Sequence, residues 1–168
     1  MTESNYIFNS VHTVAAYLFS KKEDISPLKL QKSLYFLFAY HSALYDTSNQ
    51  EGKEGIIEGL NESPQFLFDA QFEAWKFGPV IREVYVADKY EHIYEDKGLI
   101  DEAVKEVENL PEIKKFIDDL FEQIDSVSDF SLVERSHNDD AWKIAYDTEE
   151  ALIDHSIIIK EYKEKYGN

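Results

Sequence analysis

Residues 26–45, SPLKLQKSLYFLFAYHSALY, decide the fold. Ser26 is a preferred helix cap, and Pro27 suits the first helical position because an N–H there would have no partner in the helix. Apolar residues then recur at the spacing of one helix face. The stretch therefore predicts a helix from Pro27 to about Tyr45. Its inner face comprises Leu30, Leu34, Leu37, Phe38, His41 and Leu44.

Similar signals predict further helices before and after this one. Ser10 caps a helix that begins at Val11, and Pro111 opens a strongly amphipathic helix. Ser131 with Glu134 forms a capping-box pattern, and Asp154 caps a final helix. The two clearest helices predict a core that includes Leu30, Leu34, Phe38, Phe116, Ile117 and Leu120.

One segment departs from the helical pattern. In residues 66–76, FLFDAQFEAWK, aromatic and small residues alternate with polar ones, which is the spacing of a strand. We expect one or two short strands there, then a turn at Gly78 and a helix that opens at Pro79. Residues 46–64 are rich in glycine and acidic side chains and are predicted to form a surface loop. The predicted fold is a mainly α, compact helical domain with a small β element at about residues 66–76.

Composition limits the function. The chain has 168 residues, 17 basic and 34 acidic, for a net charge of -17, and it has no cysteine. That length suits one domain over residues 1–168. The charge argues against direct nucleic-acid binding, since phosphates require a basic surface. A cysteine nucleophile and disulfides are excluded. Without a basic leader or a long apolar run, the sequence indicates a cytoplasmic protein with no membrane partner.

Catalytic and metal-binding patterns are weak. None of the five histidines is paired at the spacing of a helical zinc site. The best local cluster is His137–Asp140, whose two carboxylates suit a hard cation. Asn138 and Asp139 are also preferred helix caps, and we favour that interpretation. We therefore predict no catalytic residues, no metal and no cofactor. A metal-dependent hydrolase around His137, Asp139 and Asp140 is kept as an alternative.

The hexamer Trp75–Val80, WKFGPV, is the most unusual in the chain. Gly before Pro leaves few backbone conformations and predicts a tight turn. Tryptophan is enriched at the centres of binding interfaces. Two interpretations are therefore open: one aromatic side chain lies at the surface as a binding anchor, or both Trp75 and Phe77 pack around the turn.

Several segments together resemble the Panacea-domain family of SocA-like antitoxins. They are residues 26–36, SPLKLQKSLYF; residues 72–80, FEAWKFGPV, with Val84 and Tyr85 after them; Ala141 to Ala145, AWKIA, with Leu132 before it; and the closing stretch Ile153 to Tyr162. The resemblance spans about residues 11–166, and the acidic loop 46–64 is an addition to the family pattern. Ser33 stands where the family has an apolar residue, so it marks either a close packing contact or a surface position. Asp140 stands where the family often has proline.

The resemblance implies a non-enzymatic antitoxin that neutralises a toxin encoded beside it by direct protein–protein binding. Some family members are phage-associated, and one mode in the family delivers the toxin to a host protease as an adaptor. A second possibility is a phage or mobile-element inhibitor of a host nucleic-acid enzyme. The acidic composition suits a toxin with a basic surface, because complementary charge speeds encounter.

The predicted contact residues come from the segments that carry the resemblance. The polar residues within these segments are expected to meet solvent or a partner; they are Lys29, Gln31, Lys32 and Lys76. If the Leu28–Tyr35 helix and the Trp75–Pro79 turn pack side by side, Trp75 and Trp142 supply aromatic anchors for a partner. The full predicted partner-binding set is Lys29, Gln31, Lys32, Trp75, Lys76, Gly78, Pro79 and Trp142.

Overall fold

The structure is a computed structural model that describes residues 5–46, 64–149 and 151–166. Eight α-helices lie within these ranges: α1 (Val11–Lys21), α2 (Pro27–Leu44), α3 (Arg82–Lys89), α4 (Lys97–Glu108), α5 (Pro111–Asp125), α6 (Asp129–His137), α7 (Asp140–Asp147) and α8 (His155–Tyr166). A short 3-10 helix covers Ile93–Glu95. Strands β1 (Phe72–Trp75) and β2 (Gly78–Ile81) form one antiparallel sheet. The mainly α fold with a small β element is confirmed. Most of the predicted loop 46–64 lies outside the described residues.

Helix α2 is the centre of the fold. It packs against α1, α3, α5, α6, α8 and β2, so that most of its side chains are buried. The predicted inner face from Leu30 to His41 is buried, and Ser33 is buried as well, which identifies it as a packing position. Leu44 is the exception, because it ends the helix and is 57% exposed.

Helix α5 presents its apolar face to this core less completely than predicted. Ile117 is fully buried, whereas Phe116 and Leu120 are only partly buried and pack against the edge of the core. The residues of α5 that are deepest in the core are Ile117, Phe121 and Ile124.

Capping residues confirm several predicted helix starts. The Ser10 hydroxyl accepts the His12 N–H, and the Ser26 hydroxyl accepts the Lys29 N–H. Asp154 accepts the Ser156 N–H at the start of α8. The predicted start at Ser131 is wrong, because α6 begins at Asp129. Ser128 is its cap.

The sheet lies a few residues later than predicted. Phe72 pairs with Ile81 and Trp75 with Gly78, and Lys76 and Phe77 form the turn between them. Phe66 forms only an isolated bridge with Tyr6. The helix predicted to open at Pro79 begins instead at Arg82. The reason is Gly78, whose φ of 111° lets the chain reverse within two residues and return as a strand.

Candidate functional site

The turn of the hairpin is held in place by side chains from three different helices. Trp142 on α7 donates its Nε1–H to the carbonyl of Trp75 at 2.8 Å. His137 Nε2, at the end of α6, lies 2.8 Å from the carbonyl oxygen of Lys76. These two contacts fix the start of the turn from one side.

Helix α2 holds the other side of the turn. Lys32 Nζ donates to the carbonyl of Pro79 at 2.9 Å. The Gln31 side chain bonds both backbone groups of Ile81, accepting the N–H at 2.8 Å and donating to the carbonyl at 3.2 Å. Strand β2 is thereby attached to α2 through side chains alone.

Gly78 is required here for two independent reasons. Its φ is 111°, in a region that side chains rarely adopt. A Cβ at this position would also clash with Ser136 Oγ and lie 2.8 Å from Lys32 Cε. Any other residue would therefore force the side chains of Ser136 and Lys32 to move, in addition to straining the backbone.

The expectation that solvent or a partner meets Lys29, Gln31 and Lys32 is wrong. All three are buried, because the hairpin and the neighbouring helices cover this side of α2. Lys29 Nζ bonds the side chain of Asp125 at 3.2 Å and its carbonyl at 3.1 Å, which ties α2 to the end of α5. Burial lowers the pKa of Lys32 to about 7.

Three other predicted contact residues are also buried. Gly78 and Pro79 lie inside the hairpin, and Trp142 is 8% exposed. Trp142 stacks between His137 and Tyr146, with ring centroids at 4.2 and 4.7 Å. The Leu28–Tyr35 stretch of α2 and the Trp75–Pro79 turn do pack side by side, but Trp142 supports the turn from beneath.

At the surface of this region lies an aromatic band, which we define as Phe77 and Tyr90, which are exposed, with Trp75 and Tyr85, which are half-buried. Phe77 at the turn is 54% exposed and Tyr90 is 65% exposed. Trp75 packs edge-on against Tyr85 at 5.1 Å, and Tyr85 packs against Tyr90 at 6.2 Å. The band runs from the tip of the hairpin along the outer side of α3.

Cationic side chains lie over the rings of the band. Arg82 lies 5.3 Å from the centre of the Trp75 ring, and Lys89 lies 5.3 and 5.6 Å from Tyr85 and Tyr90. Lys76 lies 5.6 Å from Phe77. Such contacts favour a fixed ring orientation at the surface.

Glu73 completes this arrangement. It accepts two hydrogen bonds of 2.8 Å from Arg82 and one of 3.1 Å from Trp75 Nε1. The hydrogen bond from Arg82 lowers the pKa of this carboxyl group. Trp75 is thus fixed on several sides before any partner binds, which reduces the entropy that binding would cost.

The alternative cluster at His137, Asp139 and Asp140 is not brought together. His137 faces the hairpin, whereas Asp139 faces inward and accepts hydrogen bonds of 2.6 Å from Tyr35 and Tyr162. Burial raises the pKa of Asp139. Within the described ranges, no group of three or more His, Cys, Asp or Glu residues is arranged to hold a metal ion.

The predicted cap of α7 is correct in position but not in chemistry. Asp139 occupies the cap position without a side-chain bond to the helix. Glu161 on α8 accepts the N–H groups of Asp140 and Ala141 instead, at 2.7 and 3.1 Å. A cap supplied by a distant helix leaves no local signal in the sequence.

The sequence-based prediction missed Arg82, Tyr85 and Tyr90. Arg82, Tyr85 and Lys89 lie three and four residues apart, which places them on one helix face. This spacing and the polar face of α3 are the features of the sequence from which an exposed cluster on α3 could have been predicted. Among the helices that the structure describes, none has the length and apolar character needed to cross a membrane.

Comparison with known proteins gives one match. The family model described as "Antitoxin SocA-like, Panacea domain" matches residues 58–143, just over half of the chain. The matched range contains the hairpin, the aromatic band and Trp142, and it leaves α2 outside. Neither the curated proteins nor the solved structures gave a match.

Proposed function

The chain belongs to the antitoxin SocA-like, Panacea-domain family, and on that premise we propose that it neutralises a toxin encoded beside it by direct protein–protein binding. We propose the cytoplasm as the place of this activity. The partner is a protein toxin, and the antitoxin supplies a binding surface and no chemistry.

The observation that carries this proposal is the aromatic band on a rigid support. Large exposed aromatic side chains that are already fixed in position are typical of the residues that dominate binding energy. Phe77 lies at the tip of a turn whose carbonyl groups are bonded by Lys32, His137 and Trp142. These supporting side chains therefore contribute to binding indirectly, because they hold the turn in a fixed conformation.

Charge favours a toxin with a basic surface. The segment from Asp88 to Asp129, which begins within α3, contains 14 acidic and 5 basic residues and so carries nine of the 17 net negative charges. Three cations lie over the band itself. We therefore propose that the toxin places an apolar segment on the band and its basic residues along the acidic helices, which would speed association at low salt.

Growth rescue tests the proposal. The protein is co-expressed with the product of the adjacent gene, and the parent is expected to restore growth. Trp75→Ala should abolish rescue while the variant remains folded, whereas Phe130→Ala is the matched control, because Phe130 is 72% exposed and lies outside the band. If the parent itself fails to rescue, the antitoxin function is wrong for this gene pair. If the parent, Phe130→Ala and Trp75→Ala all rescue growth, the proposed surface is wrong.

The level of the toxin separates two modes of neutralisation. Direct binding leaves the amount of toxin constant, as measured by immunoblot during rescue. Delivery to a host protease would lower it, and rescue would then disappear in a strain without that protease. We propose the first result.

A further inference from the structure

A small cavity lies between α2, α5, α6 and α8. Its volume is about 230 Å³, which corresponds to roughly eight water molecules at about 30 Å³ each. It is therefore large enough for a small metabolite and too small for a nucleotide or a peptide.

The inner wall of the cavity carries a carboxylate with unused capacity. Asp139 is 3% exposed, and both Tyr35 and Tyr162 donate to the same oxygen, Oδ2. The other oxygen, Oδ1, accepts no hydrogen bond from any residue that the structure describes. Because Oδ1 has no donor from the described residues, it is available to accept a charge-assisted hydrogen bond from a cationic N–H group inside the cavity.

The rim of the cavity carries the opposite charge. Arg135, four residues before Asp139, lines the opening, and its side chain forms no hydrogen bond or ion pair with any described residue. Lys165 also lines the opening, paired with Glu161 at 2.8 Å. A guanidinium group has the geometry to bind a carboxylate through two hydrogen bonds.

Four apolar side chains line the cavity together with polar ones such as Gln123 and Asn138. Phe36, Leu120, Ile124 and Leu132 come from α2, α5 and α6. A purely cationic ligand would meet Arg135 and Lys165, and a purely anionic ligand would meet Asp139. A ligand with one group of each charge and an apolar body satisfies all three parts.

We propose that this cavity binds a small zwitterion of the free apolar amino-acid class, with its ammonium group at Asp139, its carboxylate at Arg135 and its side chain against these four apolar residues. The site is separate from the aromatic band, so this inference is independent of the antitoxin function.

Calorimetric titration of the whole purified protein tests the proposal with L-leucine as the probe. The comparison ligands are 3-methylbutanoate, which lacks the ammonium group, and 3-methylbutylamine, which lacks the carboxylate. Leucine is expected to bind one site per chain, and each comparison ligand to bind roughly tenfold more weakly or worse, since each loses a charge-assisted contact.

Variants identify the site. Arg135→Gln should weaken leucine binding roughly tenfold without affecting the fold, because Arg135 is exposed and unpaired. Lys105→Gln, at an exposed position on α4, is the control and should bind as the parent does. Asp139→Asn keeps an acceptor for the tyrosines and removes the charge. No leucine binding by the parent, equal binding of 3-methylbutanoate, or unchanged binding in Arg135→Gln would overturn the proposal.

Discussion

Helix α2 and the tip of the hairpin carry polar side chains that look alike in the sequence and lie in opposite environments. Lys32 on α2 is fully buried, whereas Lys76 at the turn is exposed. The first bonds the carbonyl of Pro79, and the second lies over an exposed phenylalanine ring. The difference shows that a polar residue within a family motif can hold a surface segment in position without being part of that surface.

The need for buried polar side chains beneath the turn follows from its backbone. The carbonyl groups of a tight turn cannot all be bonded within the hairpin, and buried ones need partners from elsewhere. Lys32, His137 and Trp142 provide them. The following predictions test the contrast, from the largest expected effect to the smallest.

Truncation of a core residue of α2 should cause the largest loss of stability. Leu34 is fully buried, so Leu34→Ala should lower the free energy of unfolding by about 2–5 kcal/mol. Urea unfolding measures the change. An unfolding midpoint equal to that of the parent would mean that α2 does not form the centre of the core.

The buried amine on α2 should make stability depend on pH. Burial lowers the pKa of Lys32 from 10.5 to about 7, so between these values the unfolded chain binds a proton that the folded chain does not. The free energy of unfolding should therefore rise with pH from 7 towards 9.5, with a slope of up to about 1.4 kcal/mol per pH unit from this group.

Replacement of the amine isolates this contribution. Lys32→Met should remove that rise, whereas Lys105→Met, at an exposed position, should keep it. Urea unfolding at pH 7, 8 and 9 provides the slopes. Equal slopes in the parent and in Lys32→Met would show that Lys32 keeps its ordinary pKa.

The attachment of β2 to α2 should have a smaller effect. Gln31→Leu removes both bonds to Ile81 and leaves two buried backbone groups without partners, which should cost about 1–3 kcal/mol. Amide hydrogen exchange at Ile81 should become faster. Gln123→Leu, at an exposed position of α5, is the control, and equal losses in the two variants would contradict the role of Gln31.

Much of the fold could be predicted from local signals. The caps Ser10, Ser26 and Asp154 and the periodicity of α2 act within a few residues, so the sequence predicts them well. Errors arose where distant elements decide the outcome. Leu44 continues the apolar spacing of α2 but is exposed, and Pro79 has the features of a helix start but lies in a strand.

The candidate site was predicted less well for the same reason. Of the predicted contact residues, Trp75 is half-buried and Lys76 is exposed, whereas Lys29, Gln31, Lys32 and Trp142 are buried. Whether a polar side chain meets solvent or a turn carbonyl depends on which element packs over it. The cap of α7 by Glu161, which lies 21 residues away in the chain, is a second example.

The central claim is that the tip of the hairpin binds the toxin, and that Lys32, His137 and Trp142 hold this tip in position. The most direct measurement is the affinity of purified Phe77→Ala for the product of the adjacent gene, by calorimetry, beside that of Phe130→Ala. Phe77 is 54% exposed, so its loss should change the free energy of unfolding by no more than about 0.5 kcal/mol. We predict that Phe77→Ala binds about thirtyfold more weakly or worse, equivalent to about 2 kcal/mol, while Phe130→Ala binds as the parent does. Equal affinity of the two variants for a toxin that the parent binds would contradict the claim.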